Sequence, residues 1–111
     1  MTWTPASRKA AIVAGGALLK EVTLDIVLLG VDALDVELGA ASHHEGEAAM
    51  NSLMVARAKR VVVIADSSKL GGHAFARICP ITKIETLVTD SGATPAIVAA
   101  FREAGVHVIT A

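Results

Sequence analysis

With 111 residues, a net charge of −1 and a pI near 6.4, the chain is one domain at most and lacks the basic field that gathers nucleic acid. Apolar residues make up 53% and aromatic residues 3%, which excludes disorder and suits close packing of helices on a sheet. The single cysteine, Cys79, excludes an internal disulfide and fits a reducing, cytoplasmic compartment.

Residues 1–7 (M-T-W-T-P-A-S) read as an untethered start. Ser7 is a candidate cap for a helix over Arg8 to Val22, weakened in its middle by Gly15-Gly16. Its apolar stretch, Ala10 to Leu19, is about half a bilayer crossing, and the charges of Lys20-Glu21 follow without a cleavage pattern, so neither a membrane span nor a signal is read here. I-V-L-L-G-V at Ile26 to Val31 predicts the first strand, and D-A-L-D-V-E-L-G after it a loop closing on Gly39.

A second helix is predicted from about His44 to Ala58, capped by Ser42. Glu45 and Glu47 sit in its positive first turn, and Arg57, Lys59 and Arg60 at its negative end. Ala49, Leu53 and Ala56, with Met50 and Met54 beside them, form its apolar stripe. V-V-V-I-A at Val61 to Ala65 reads as a strand buried on both faces, as in a parallel sheet. G-G-H-A-F-A-R-I-C-P then predicts one helical turn ended by Pro80, and Ile84 to Val88 a third strand. Thr94-Pro95 opens a helix that runs to about Ala104 and stops at Gly105, before a last short strand at Val106 to Ile109.

Alternating strands and helices with short links predict an α/β fold: a Rossmann-like, mostly parallel sheet with flanking helices. About four strands are few for a sheet that must be covered on both faces, which implies a partial domain. The apolar excess implies surface buried by a partner, and a homo-oligomer is expected.

Chemistry is concentrated at the strand ends. Asp32, Asp66 and Asp90 follow the first three predicted strands, and Asp66 opens D-S-S-K, with Ser67, Ser68 and Lys69. In open α/β sheets ligands bind outside the carboxyl ends of the strands. Carboxylates there accept from sugar hydroxyls and a lysine meets a phosphate, so the set reads as a site for a small phosphorylated polyol. The plainer alternative is that these acids close turns, which is favoured for Asp90. His43, His44 and Glu47 could be imagined as metal ligands, but no further His or Cys lies close in sequence, and neither metal nor cofactor is expected.

The chain resembles the carboxyl-terminal effector-sensing domain of the DeoR family of bacterial transcriptional regulators. The resemblance is carried by D-I-V-L-L-G-V-D (Asp25 to Asp32), E-A-A-M-N-S-L-M (Glu47 to Met54), V-V-V-I-A-D-S-S-K-L-G (Val61 to Gly71), I-E-T-L-V-T-D (Ile84 to Asp90) and A-G-V-H-V (Ala104 to Val108). It implies a fold related to ribose-phosphate isomerase and the CoA transferases, and a non-enzymatic sensor of phosphorylated sugars or related metabolites. DNA would be bound only by a helix-turn-helix segment that this sequence does not contain. Asp32 would lie near the sugar hydroxyls and Lys69 near the phosphate or a hydroxyl, with Gly30, Glu47, Asp66, Ser67 and Ser68 completing the expected ligand-binding set. The sequence departs from the family pattern at Ala33, often glycine, and at Gly39-Ala40-Ala41, where Gly-Leu-Thr is usual. The family's Gly-Thr-rich phosphate loop is also missing. On that reading residues 1–111 are one sensor-domain fragment.

The alternative is a sugar-phosphate isomerase related to ribose-5-phosphate isomerase, which G-V-D-A-L-D and A-D-S-S-K-L also resemble. That family places its base after a K-G-G-G run downstream of the acid pair. Here the nearest similar text, A-G-G-A-L-L-K-E, precedes it, which argues against the enzyme.

Overall fold

A computed structural model of the chain describes residues 23–111, so the helix expected over residues 8–22 lies outside the described residues. Among the described residues the architecture is two sheets and two α-helices around one apolar core. β1 (Leu24–Gly30), β4 (Ala58–Ile64), β6 (Thr86–Thr89) and β7 (His107–Thr110) form a parallel sheet in the order β1-β4-β6-β7. The connections carry α1 (Glu45–Arg57), two single 3₁₀ turns (Ser67–Lys69 and Ile81–Lys83) and α2 (Pro95–Glu103). This is the expected α/β, Rossmann-like parallel sheet with flanking helices.

A smaller antiparallel sheet joins β2 (Ala33–Asp35), β3 (Gly39–Ser42) and β5 (Ala76–Cys79). Both outer strands correct the sequence reading. The stretch expected as a loop after Asp32 is a hairpin, turned by Asp35, whose carboxylate accepts from the Glu37 and Leu38 backbone N–H groups at 2.9 Å. The stretch expected as a helical turn before Pro80 is extended, because its backbone pairs with β3 instead of with itself.

α1 also sits differently from expectation. Ala48 and Val55 are its buried residues, while Ala49 and Ala56 are exposed. The helix is rolled toward β5, and Ser52 donates its hydroxyl to the Ile78 carbonyl. Ser42 does not cap it: the N-cap residue is His44, with no side-chain cap bond. Lys59 and Arg60 already belong to β4. The N-terminus of α2 forms as expected, with Thr94 accepting from the Ile97 N–H at 3.3 Å and Pro95 in the first turn. Gly105 follows at φ +93°, the left-handed stop that glycine supplies without strain.

Every step across the parallel sheet runs the same way, from β1 to β4 to β6 to β7. Right-handed crossovers in one direction place their connections on one face. On that face Val27, Leu29, Val61, Val63, Leu87 and Val108 are buried beneath the helices, with Phe101 of α2 among them. Among the described residues the opposite face is only partly covered: Val62 and Thr86 in its middle are buried, but Leu28 is 60% exposed, Ile64 50% and Ile109 44%. The strand expected to be buried on both faces is therefore buried through Val61, Val62 and Val63 but uncovered at Ile64.

Candidate functional site

The pairing register aligns the strand ends. Gly30 pairs with Ile64 and Ile64 with Val88, so one row crosses β1, β4 and β6. Asp32, Asp66 and Asp90 each lie two residues beyond that row, on one rim of the sheet. Adjacent parallel strands bring together acids that are 34 and 24 positions apart in sequence.

Each acid is held by a different local device. Asp66 caps the first 3₁₀ turn: its Oδ1 accepts from the Ser68 N–H at 2.9 Å and from the Ser68 hydroxyl. These two bonds hold its carboxyl below the usual range, with the charge of Lys69 adding to them and Asp90 opposing. Asp90 bridges two loops, with Oδ2 accepting from the Ser67 N–H at 2.9 Å and Oδ1 from the Gly92 N–H at 2.8 Å. The Ser67 N–H, then the Ser67 hydroxyl and the Gly92 N–H, lower its pKa. A Cβ at Gly92 would stand 2.5 Å from Ser67 Oγ and 2.8 Å from Asp90 Oδ1, so a side chain there would push the two loops apart.

Asp32 is half-buried on the link between β1 and β2. Its Oδ2 accepts from the His43 backbone N–H at 2.8 Å and from Ser42 Oγ at 3.0 Å, and its own N–H donates to the Ala41 carbonyl at 3.1 Å. The His43 N–H is the main cause of a lowered Asp32 pKa. Partial burial opposes it, and the Ser42 hydroxyl with the charges of His43 and His44 supports it.

The D-S-S-K loop is tied to β2 as well. The Gly71 N–H donates to the Leu34 carbonyl at 2.7 Å, and Leu34 bridges Leu70. Gly71 takes φ +78° to make that turn. Lys69 is half-buried and, among the described residues, has no ion-pair partner. Glu47 is half-buried in the first turn of α1, and a Cβ at Gly30 would meet open space.

The rim thus gathers carboxylates bonded on their inner sides by backbone and hydroxyl donors, beside Lys69, which has no ion-pair partner among the described residues. Such a set can accept from hydroxyls and attract one anionic group. No group of three or more His, Cys, Asp or Glu able to hold a metal ion occurs among the described residues.

The family model of the DeoR C-terminal sensor domain matches residues 4–91. The chain belongs to that family. A putative aga operon transcriptional repressor of Escherichia coli O157:H7 is 36% identical over 82% of this chain and 34% of its own length. The HTH-type transcriptional regulator GlpR of Haloferax volcanii is 39% identical over 67% of this chain and 29% of its own length. The HTH-type transcriptional repressor GlcR of Bacillus subtilis is 33% identical over 65% of this chain and 28% of its own. The chain spans about a third of the length of these relatives. The match is to a sensor domain and the relatives are regulators of transcription, which decides against the isomerase reading.

In this DeoR sensor domain Asp32, Asp66, Ser67, Ser68 and Asp90 share the rim, with Lys69 in the same loop, while Gly30 ends the edge strand and Glu47 opens α1. The sequence reading missed Ser42 and the His43 N–H as partners of Asp32. Their signal was weak, because S-H-H ahead of a helix reads as a cap. Among the described residues no helix is long and apolar enough to cross a membrane.

Proposed function

We propose that the chain is part of the effector-sensing domain of a cytoplasmic DeoR-type regulator of carbohydrate metabolism. In this reading it binds a phosphorylated sugar or related metabolite at the carboxyl ends of β1 and β4. Asp32 accepts from sugar hydroxyls, Lys69 meets the phosphate, and Asp66, Ser67 and Ser68 shape the loop that carries Lys69. Gly30 and Glu47 border the site. Effector binding alters the hold on DNA of a helix-turn-helix segment outside this sequence.

One observation carries the reading. Lys69 is half-buried with no ion-pair partner among the described residues, and it stands on a loop whose backbone is fixed from three sides by Asp66, Asp90 and Leu34. A lysine left unpaired on so fixed a loop suits an anion that comes from outside. Among the described residues β1 is the edge strand, so further residues of the sensor could complete the pocket on its outer side.

The test is thermal stability against triose, pentose and hexose phosphates, with the unphosphorylated sugars and inorganic phosphate as controls. A ligand at a hundred times its Kd adds about 2.7 kcal/mol, a rise of roughly 10 °C for a domain of this size. Lys69→Ala abolishes that rise. A flat panel, or a shift indifferent to Lys69→Ala, rejects the site. The expected homo-oligomer has apolar surface available on the partly covered sheet face, and light scattering that finds only monomer removes that expectation.

A further inference from the structure

Asp32 is half-exposed, and a carboxylate in that position ordinarily turns between rotamers. Here it is pinned. Two donors converge on one of its oxygens: the His43 N–H at 2.8 Å and Ser42 Oγ at 3.0 Å. No described residue donates to its Oδ1.

Ser42 is itself fixed. It is 2% exposed, ends β3 and pairs with Ala76 of β5. Its oxygen accepts from the His44 N–H at 3.1 Å. A serine hydroxyl has one proton to give, and with the His44 N–H already donating to the oxygen, that proton is directed at Asp32. The chain Asp32–Ser42–His44 N–H thus ties the carboxylate to the start of α1, while the bond from Asp32 N–H to the Ala41 carbonyl ties its backbone to β3.

We propose that Ser42 is a positioning residue of the effector site. Together with the His43 N–H it commits one oxygen of Asp32 to the protein and turns the other outward as a bare acceptor. An ionised carboxylate so held takes a hydroxyl or another neutral donor and repels an anion. It therefore selects the polyol end of a ligand and leaves any phosphate to the Lys69 side. This rests on the reading of Asp32 as a ligand contact given under Proposed function, but the positioning itself can be tested without a ligand.

The experiment follows the Asp32 carboxyl carbon by NMR through an acid titration, in the wild type, Ser42→Ala and Ser42→Thr. His43 and His44, the titratable side chains that act on Asp32, are followed in the same samples. The expected result is that Ser42→Ala moves the Asp32 titration up toward the ordinary aspartate value, and Ser42→Thr, which keeps the hydroxyl, restores it. An unchanged Asp32 titration in Ser42→Ala overturns the proposal, whatever the ligand panel shows.

Asp32→Asn covers the case in which a Ser42 variant fails to fold. The clamp directs the asparagine oxygen at Ser42 and His43 and its amide outward, so the variant folds. If a sugar phosphate scores in the thermal panel, calorimetry then shows its affinity reduced roughly tenfold or more, a donor having replaced an acceptor. Ser42→Ala weakens the same ligand by roughly tenfold and Ser42→Thr by less than about threefold. Wild-type affinity in Asp32→Asn removes Asp32 from the site and the proposal with it. A silent panel with the expected titration result fails the sensor reading and leaves the clamp standing.

Discussion

Gly39 and Gly46 should respond to the same substitution with opposite signs. Gly39 opens β3 at φ +80°, where an alanine costs about 1–2 kcal/mol in backbone strain. Its new Cβ would also overlap the Cys79 carbonyl oxygen and stand 2.9 Å from Pro80 Cα, and both are backbone atoms with no rotamer to retreat into. Relief requires pulling β3 away from β5, where Ala40 pairs with Cys79. Two weakened ladder bonds add about 1–3 kcal/mol, for a total near 2–5 kcal/mol out of the 5–15 typical of a small domain. In urea, at a slope near 1–1.5 kcal/mol/M for a chain this short, the midpoint falls by roughly 1.3 M or more. Gly46 lies in the first turn of α1 with nothing within 4 Å of a built Cβ. Alanine there gains about 0.5–1 kcal/mol by restricting the unfolded chain. Equilibrium unfolding of the two variants beside the wild type decides the matter. If Gly39→Ala loses less than about 1 kcal/mol, or both variants shift the same way, the close approach of β3 to β5 is wrong.

The two faces of the parallel sheet give a second contrast. Leu87→Ala, at a site with 0% exposure, should cost about 3 kcal/mol, whereas Leu28→Ala on the more open face should change the unfolding free energy read from urea titrations by less than about 0.5 kcal/mol. Thr94→Ala removes the only side-chain cap of α2 and should cost about 1 kcal/mol, with Thr94→Ser recovering most of it. Asp32, Asp66 and Asp90 all hold pKa values below their ordinary ones when folded. The unfolded chain therefore takes up protons first as pH falls, so stability is full above the ordinary carboxylate range and is lost below about pH 4–5. Urea midpoints measured from pH 7 to pH 3 should fall, and fall less steeply in Asp90→Asn. The exposed Arg60–Glu85 pair at 2.8 Å should matter little, and Glu85→Gln at pH 7 should leave the midpoint within error.

The parallel sheet was legible because its signals are local. V-V-V-I is too apolar and too β-branched for anything but a strand, and Thr94-Pro95 with Gly105 brackets a helix whatever surrounds it. The polar residues that follow each of these apolar runs put Asp32, Asp66 and Asp90 at strand ends from the sequence alone.

The small sheet was not legible. A-L-D, G-A-A-S and A-R-I-C are too short to show a period, and β3 finds β5 only across the whole of α1 and β4. Pairing of that kind depends on what the rest of the fold brings alongside. The face that α1 buries was decided the same way, by β5, which the sequence reading had placed in a helical turn. The family signature and the acids of the rim were thus set by the sequence alone. That the rim acids each stand two residues past one register row, that Ser42 and the His43 N–H hold Asp32, and that one face of the sheet is only partly covered by the described residues were decided only in three dimensions. These features rest on contacts between residues ten or more positions apart, whose geometry no local pattern encodes.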